Sequence, residues 1–234
     1  MKPGGAPASF VLVPGGGGSA WDWHRVAPLL ESVGMHAVAV ELPTHDDTAD
    51  LFIYADVVRA AARDIPRPLV LVGHSMGAYT VPIAAAGLEP ALLVLVNPMV
   101  PAAGETARQW WEATGQPAAM AALFERLGFG GRAFDPDEDF FHDVPEAVRA
   151  EAANAPEPAQ SDTPFDQPWP LDRWPDVPTA VLAGRDDRLF PLEFQRRLAR
   201  ERLGLDIEEL PGGHMVALSR PEELAGRLLG MLRP

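Results

Sequence analysis

The chain has 234 residues with 33 acidic against 19 basic side chains, so its formal net charge is −14. This negative charge disfavours nucleic acids and anionic membrane surfaces as partners, because proteins bind both by neutralising their negative charges with Lys and Arg. The chain contains no cysteine, which excludes a disulfide framework, a thiolate metal site and a cysteine nucleophile.

Six short runs rich in Val, Leu and Ala predict strands, and each run ends in turn-forming residues. In chain order they are 9–13, 36–41, 69–73, 91–96, 179–184 and 205–210. All but the last lack polar alternation, which is typical of strands buried on both faces in a mostly parallel sheet. The segments 21–33, 53–64, 76–87, 191–203 and 221–232 predict helices. Repeated strand-helix-strand order indicates an α/β fold.

Residues 99–177 interrupt this alternation. They hold ten of the 25 prolines and ten of the 18 aromatic residues, and with 15 acidic against 5 basic residues they carry −10 of the net charge. We therefore predict a core formed by 1–98 and 178–234, with 99–177 as an inserted helical cap whose part 156–170 is a semi-rigid linker back to the sheet. Two interpretations of the cap stay open: a solvated unit with its own small core, or aromatic side chains that line an apolar pocket below an acidic outer face.

The third predicted strand runs directly into the sequence Gly73-His74-Ser75-Met76-Gly77 and then into a helix. A serine on a tight strand-to-helix turn exposes its oxygen above the sheet, and small residues two before and two after it leave room for that turn. At the start of a helix, the amide of Met76 would also face a developing negative oxygen. The pattern predicts Ser75 as a nucleophile, with an ordinary turn capped by serine as the alternative.

A serine hydroxyl needs a base to take its proton and an acid to orient that base. The strand 179–184 is followed by Arg185, Asp186 and Asp187, and a glycine-rich loop after the last strand carries His214. Both positions are at carboxyl ends of strands, where open α/β sheets form their ligand crevices. His214 is therefore the predicted base, with a surface loop histidine as the alternative.

On these residues the chain resembles the α/β-hydrolase superfamily over essentially its full length, with 99–177 in the place of that family's cap. The chain order of nucleophile, acid and histidine is the family's own. The resemblance implies Asp187 as the acid, because the family's acid usually follows its strand in a Gly-X-X-Asp turn. Asp186 remains the alternative.

The loop Pro-Gly-Gly-Gly-Gly-Ser at 14–19 resembles the His-Gly loop of small esterases, including the methylesterase and hydroxynitrile lyase branch. The resemblance implies that Gly16, with Gly17 as the fallback, donates the second oxyanion amide. Pro14 stands where the family usually has His. The four glycines are not interpreted as a phosphate cradle, since no Gly-Lys-Ser/Thr follows. Trp21 is expected either at a pocket wall or in the packing of the first helix.

These residues predict a serine hydrolase that cleaves a carboxylic ester of a small, hydrophobic substrate through an acyl-enzyme. Lyase, carbon-carbon hydrolase or cofactor-free oxygenase chemistry on the same fold is the second hypothesis, and a non-catalytic ligand-binding protein is the third. We expect no cofactor and no metal, because the remaining histidines lack ligand spacing. The apolar run 10–13 is too short for a signal-peptide core, so we expect a cytoplasmic protein. Its partner is then a small molecule, and its oligomeric state stays open.

Overall fold

The structure is a computed structural model, which describes residues 7–152 and 159–232. Its centre is a six-stranded sheet with the order β2-β1-β3-β4-β5-β6, in which every pairing of neighbouring strands is parallel. The strands are Ser9–Val13 (β1), His36–Ala39 (β2), Leu69–His74 (β3), Leu92–Val96 (β4), Thr179–Gly184 (β5) and Ile207–Leu210 (β6). The predicted α/β fold with a parallel sheet is confirmed.

Helices cover both faces of this sheet. They are Ala27–Ser32 (α1), Leu51–Ala61 (α2), Gly77–Ala85 (α3), Ala107–Thr114 (α4), Gln116–Arg126 (α5), Glu146–Ala152 (α6), Thr163–Asp166 (α7), Leu192–Leu203 (α8), Val216–Ser219 (α9) and Pro221–Gly230 (α10). A 3-10 turn at Ala20–Trp23 and a π-helical turn at Pro136–Phe140 complete the described elements. None of the described helices has the length and apolar character needed to cross a membrane.

The continuous apolar strands are explained by two hydrophobic clusters, one on each face of the sheet. In β1, Val11 and Val13 belong to the first cluster, whereas Phe10 and Leu12 belong to the second. Successive side chains of a strand point to opposite faces, so each face needs its own apolar set. This double burial holds the carboxyl ends of the strands, and the loops that follow them, in fixed relative positions.

Most predicted elements differ from the structure by one to three residues at an end, and two of the differences have a clear local cause. The predicted helix 21–33 is a 3-10 turn followed by α1, because Pro28 in the first turn of α1 cannot donate a hydrogen bond to a preceding turn. The predicted strand 205–210 begins only at Ile207. Gly204 caps α8 in the left-handed conformation, and the amide of Leu205 still bonds to Ala199.

The helices inserted between β4 and β5 do not form a separate small core. Trp110 and Trp169 from this cap are 0% and 3% exposed, and both belong to the same cluster as sheet residues such as Leu71. The indole of Trp169 donates to the carbonyl of Tyr79 at 3.1 Å, which ties the cap to α3. The first interpretation of the cap is therefore wrong. Part of the predicted linker 156–170 lies outside the described residues, and the rest contains α7.

Candidate active site

Ser75 is on the sharp turn between the end of β3 and the start of α3. Its φ of +50° is in the left-handed region, which costs a non-glycine residue about 1–2 kcal/mol. The turn is held from β4, because the Ser75 amide donates to the Val96 carbonyl at 3.0 Å and the Ser75 carbonyl accepts from Met99 at 3.0 Å. A strained serine held on both sides is typical of a functional turn.

The glycines on either side of Ser75 are required by close backbone contacts. A Cβ atom added to Gly73 would lie 2.8 Å from the Gly77 carbonyl oxygen, and one added to Gly77 would lie 2.8 Å from the Pro14 carbonyl oxygen. At Gly15 an added Cβ would lie 3.0 Å from Ser75 Cβ. The glycine loop after β1 therefore packs directly against the serine turn.

The two expected oxyanion donors, Gly16 and Met76, are neighbours in the structure. A Cβ atom added to Gly16 would lie 3.4 Å from Met76 Sδ. Among the hydrogen bonds between described residues, neither the Gly16 amide nor the Met76 amide has an acceptor. The amide of Gly17, the fallback donor, instead donates to Gln160 Oε1 of the cap at 2.9 Å. Of the two glycine amides, only that of Gly16 therefore lacks an acceptor among the described residues.

His214 and Asp187 form a buried hydrogen-bonded pair. His214 Nδ1 donates to Asp187 Oδ2 at 2.8 Å, and the two residues are only 2% and 1% exposed. Asp187 Oδ1 accepts the amides of Leu189 and Phe190 at 2.8 and 2.9 Å, so the carboxylate cannot turn. Because Nδ1 carries the proton, Nε2 of His214 is left as the basic nitrogen.

The structure brings Asp187, not Asp186, to His214. The side chain of Asp186 is 53% exposed and lies 3.6 Å from the Arg185 guanidinium. Its Oδ2 accepts the amide of Gly212 at 3.2 Å. Asp186 therefore binds the backbone of the loop that carries His214, whereas the imidazole is bonded to Asp187.

His214 lies next to the Ser75 turn. The rings of His214 and His74, the residue before the serine, have centroids 4.8 Å apart. His74 Nε2 also donates to the His214 carbonyl at 2.9 Å. No hydrogen bond between described residues joins Ser75 Oγ to His214 Nε2. In ligand-free enzymes such bonds are often long and tighten when substrate binds.

Comparison with known proteins places this chain in a family. The model of the alpha/beta hydrolase family matches residues 10–227, a range that includes Ser75, Asp187 and His214. The chain belongs to this family. The expected resemblance to α/β-hydrolases is thereby confirmed.

Named relatives of this α/β-hydrolase include esterases. Polyneuridine aldehyde esterase of Rauvolfia serpentina is 27% identical over 248 residues, covering 94% of each chain. Protein phosphatase methylesterase 1 of Rattus norvegicus is 37% identical over 107 residues, which cover 40% of this chain and only 28% of that protein.

Solved structures share the fold. The crystal structure of polyneuridine aldehyde esterase has a TM-score of 0.78 at 24% identity, covering 97% of this chain and 100% of that chain. A pyrethroid hydrolase from Sphingobium faniae JZ-2 has a TM-score of 0.73 at 22% identity, covering 97% of each chain. At these identities the likeness concerns the fold alone.

Sequence reasoning missed Asn97, which directly follows β4 and is fully buried with φ +44°. Its Nδ2 donates to the carbonyls of Gly213 and His214 at 3.1 and 2.9 Å. Its Oδ1 accepts the amide of Gly184 at the end of β5, at 2.7 Å. One amide side chain thus joins the ends of two strands to the histidine loop of this α/β-hydrolase. The sequence signal was an asparagine directly after a buried strand, which predicts a turn but not its partners.

His74 is a neutral packing and hydrogen-bonding residue. Burial, and then the neighbouring His214, lower the pKa of His74 to about 3. The uncharged ring keeps a proton on Nε2, because that atom donates to the His214 carbonyl. His74 therefore supports the His214 loop as an uncharged ring.

Aromatic side chains surround the imidazole. The rings of Phe140 and Phe190 each have centroids 5.1 Å from that of His214. The ring of Phe165 lies close to Gly16, since a Cβ added there would be 3.4 Å from Phe165 Cζ. Two of these rings, Phe140 and Phe165, come from the cap. That cap aromatic side chains line an apolar pocket stays a prediction.

Trp21 occupies a packing position. Its ring stacks on His24 with centroids 4.6 Å apart. It also packs on a small cluster formed by Val144, Val148 and Leu218. These contacts place it between the cap and α9.

A separate cleft of about 590 Å³ opens beside Asp187 without reaching Ser75 or His214. Its wall is formed by Leu123, Arg126, Leu127, His142, Asp143, Arg185, Asp186, Asp187, Arg188, Pro191, Leu192 and Glu193. We place the candidate site at Ser75, because the Gly16 and Met76 amides lie at this turn and the His214 ring packs against that of the preceding residue, His74. Within the described ranges, no three His, Asp or Glu side chains are grouped to hold a metal ion.

Proposed function

We propose that this α/β-hydrolase cleaves a carboxylic ester of a small, hydrophobic molecule through Ser75, His214 and Asp187. The observation that carries the proposal is the buried 2.8 Å hydrogen bond between His214 and Asp187 beside the strained Ser75 turn. The relatives named polyneuridine aldehyde esterase and protein phosphatase methylesterase 1 support ester hydrolysis as the reaction class.

The first half-reaction acylates the serine. His214 Nε2 takes the proton of Ser75 Oγ while that oxygen attacks the ester carbonyl carbon. Asp187 stabilises the imidazolium that forms. The amides of Gly16 and Met76 bind the carbonyl oxygen as it becomes negative. The ester C–O bond then breaks, and the leaving alkoxide takes the proton from His214 Nε2.

The second half-reaction releases the acid. A water molecule gives a proton to His214 Nε2 and attacks the acyl carbonyl carbon, while Gly16 and Met76 again bind the oxyanion. Breakdown of this intermediate frees the carboxylic acid. The proton returns from His214 to Ser75 Oγ, which restores the enzyme without any cofactor.

The surroundings of the site favour a neutral, apolar substrate. The rings of Phe140, Phe165 and Phe190 provide apolar surface next to the imidazole and the Gly16 amide. The net charge of −14 opposes anionic substrates as well as nucleic acids and membrane surfaces. The proposed partner is one small molecule, and a cytoplasmic setting stays a prediction from the sequence.

Ser75→Ala tests the proposal, with Ser32→Ala at the exposed end of α1 as the matched control. Hydrolysis of a short p-nitrophenyl ester and of a hydrophobic methyl ester is measured for both variants and the parent. We expect Ser75→Ala to lose on the order of 10⁶ in kcat, down to the background rate, and Ser32→Ala to match the parent. Equal rates for Ser75→Ala and the parent would contradict the proposal.

Mass spectrometry separates acyl transfer from lyase, carbon-carbon hydrolase and oxygenase chemistry. A fluorophosphonate is expected to add its phosphonyl group to Ser75 Oγ with loss of fluoride, giving a matching mass increase on the peptide that contains Ser75. Substrate turnover by a protein whose Ser75 stays unmodified would favour proton-transfer chemistry instead. Ligand binding without any turnover would favour the non-catalytic hypothesis.

A further inference from the structure

We propose that Asp143, on the cap, is a positioning residue that holds the general base His214 in place. This inference rests on the proposed function, in which His214 takes the serine proton. Asp143 does not touch the imidazole. It acts on the backbone of the loop that carries the imidazole.

The link is a hydrogen bond between the cap and the histidine loop. The amide of Gly213, the residue before His214, donates to Asp143 Oδ2 at 3.0 Å. A carboxylate accepts such a bond more strongly than a neutral oxygen does. The two residues are 70 positions apart in the chain, so the bond exists only when the cap is seated on the core.

Other elements bind three further polar groups of this loop. Asp186 accepts the Gly212 amide, and Asn97 donates to the carbonyls of Gly213 and His214. These contacts come from the ends of β5 and β4. Within the described ranges, Asp143 is the cap residue that completes the set by binding the Gly213 amide.

The same cap segment closes around the loop at two further points. The ring of Phe140 is 5.1 Å from that of His214. His142 Nε2 lies where Gly213 would carry a side chain, since an added Cβ would be 2.5 Å from it. A side chain at position 213 would therefore require His142 to move from its place against the loop.

The segment is also anchored to the loop that follows Asp187. Asp139 is fully buried and binds Arg132 at 2.6 Å and Arg188 at 3.1 Å. Burial acts to raise the pKa of Asp139, but hydrogen bonds led by that from Arg132 lower it below its usual value. The ion pair of Asp139 with Arg188 fixes segment 139–143 to the loop that follows Asp187. From the same segment, Asp143 binds the loop that carries His214.

This arrangement makes the cap a part of the catalytic geometry. Gly212 and Gly213 give the loop wide backbone freedom, so loss of the Asp143 bond lets His214 Nε2 move relative to Ser75 Oγ. A displacement of about 1 Å can cost about a hundredfold in rate. Because substrate binding depends on the aromatic side chains around the site, we do not expect it to change when the Asp143 hydrogen bond is lost.

The test compares Asp143→Ala with Asp143→Asn, which keeps an oxygen that can accept the Gly213 amide. Asp137→Ala, at an exposed position two residues before segment 139–143, is the matched control for loss of one negative charge. Measured are kcat, KM, the rate at which a fluorophosphonate labels Ser75, and the melting temperature. We expect Asp143→Ala to lose about tenfold to a hundredfold in kcat and labelling rate at an unchanged KM. Asp143→Asn should recover most of that loss, and Asp137→Ala should match the parent.

Three results would overturn the inference: parental kcat and labelling rate in Asp143→Ala, a change confined to KM, or equal loss of rate in both Asp143 variants together with a lower melting temperature. The last result would show a structural role only. Failure of the proposed function is recognised separately, because Ser75→Ala would then keep the parental turnover, and that result also removes this inference. With Ser75→Ala inactive, the Asp143 variants decide the inference alone.

Discussion

Replacement of Asn97 tests whether one buried amide holds the strand ends and the histidine loop together. Asn97→Gly removes the three hydrogen bonds of 3.1 Å or shorter that the side chain makes, together with a longer one from Gln195, but keeps a residue that accepts the φ of +44°. Asn97→Ala removes the same bonds and adds a side chain that disfavours this φ. The pair therefore separates the cost of lost hydrogen bonds from the cost of backbone conformation.

The expected loss of unfolding free energy follows from the buried polar groups that lose a hydrogen-bond partner. The Gly184 amide and the Gly213 carbonyl lose Asn97, whereas the His214 carbonyl keeps the bond from His74. A buried polar group left unpaired costs about 1–3 kcal/mol, so Asn97→Gly is expected to lower the free energy of unfolding by about 2–6 kcal/mol. Asn97→Ala should lose about 1 kcal/mol more, because its side chain is strained at positive φ.

Urea unfolding at 25 °C measures both variants against the parent, and ester hydrolysis gives kcat for each. We expect kcat to fall in both, since the loop that carries His214 loses its contact with β4. A loss of unfolding free energy below about 1 kcal/mol in Asn97→Gly would refute the hydrogen-bond reasoning. Equal stability of the two variants would refute the argument from φ.

Two further predictions concern carboxylates. Asp187→Asn should lower kcat by about 10⁴, whereas Asp186→Asn should stay close to the parent in the same ester assay; an equal loss in both would contradict the assignment of the acid. Burial, opposed by a hydrogen bond from Ser19 and assisted by Glu41, raises the pKa of Asp22 to about 7. Because the unfolded chain loses this proton near pH 4, the folded state binds more protons between pH 4 and 7, and stability falls as pH rises through that window. Asp22→Asn should reduce this fall in unfolding free energies measured between pH 4 and 8, and an unchanged fall would count against the burial of that carboxyl.

The parts of the fold that depend on local pattern were predictable from the sequence. Continuous apolar runs specify strands buried on both faces, and the spacing of Gly73, Ser75 and Gly77 specifies the tight turn. Errors arose where one residue overrides the pattern. Pro28 divides the predicted first helix, and Gly204 extends the cap of α8 into the predicted last strand.

The remaining contacts of the candidate site depend on residues far apart in the chain. Asn97 reaches Gly184 only because β4 and β5 are neighbours in the sheet, which local patterns do not specify. The bond from Gly17 to Gln160 spans 143 positions, so no local signal shows that this amide is already engaged. Sequence gives the residue types of such a site more readily than it gives the partners.

The shared hydrophobic cluster has a consequence for attempts to exchange caps between related hydrolases. Trp110 and Trp169 would travel with a transplanted cap, while the core surfaces that receive them, including the Tyr79 carbonyl that accepts from Trp169, would stay behind in this chain. A chimera cut at residues 99 and 177 would therefore join mismatched halves of one interior. Successful grafts would have to redesign the acceptor helix α3 together with the donor segment.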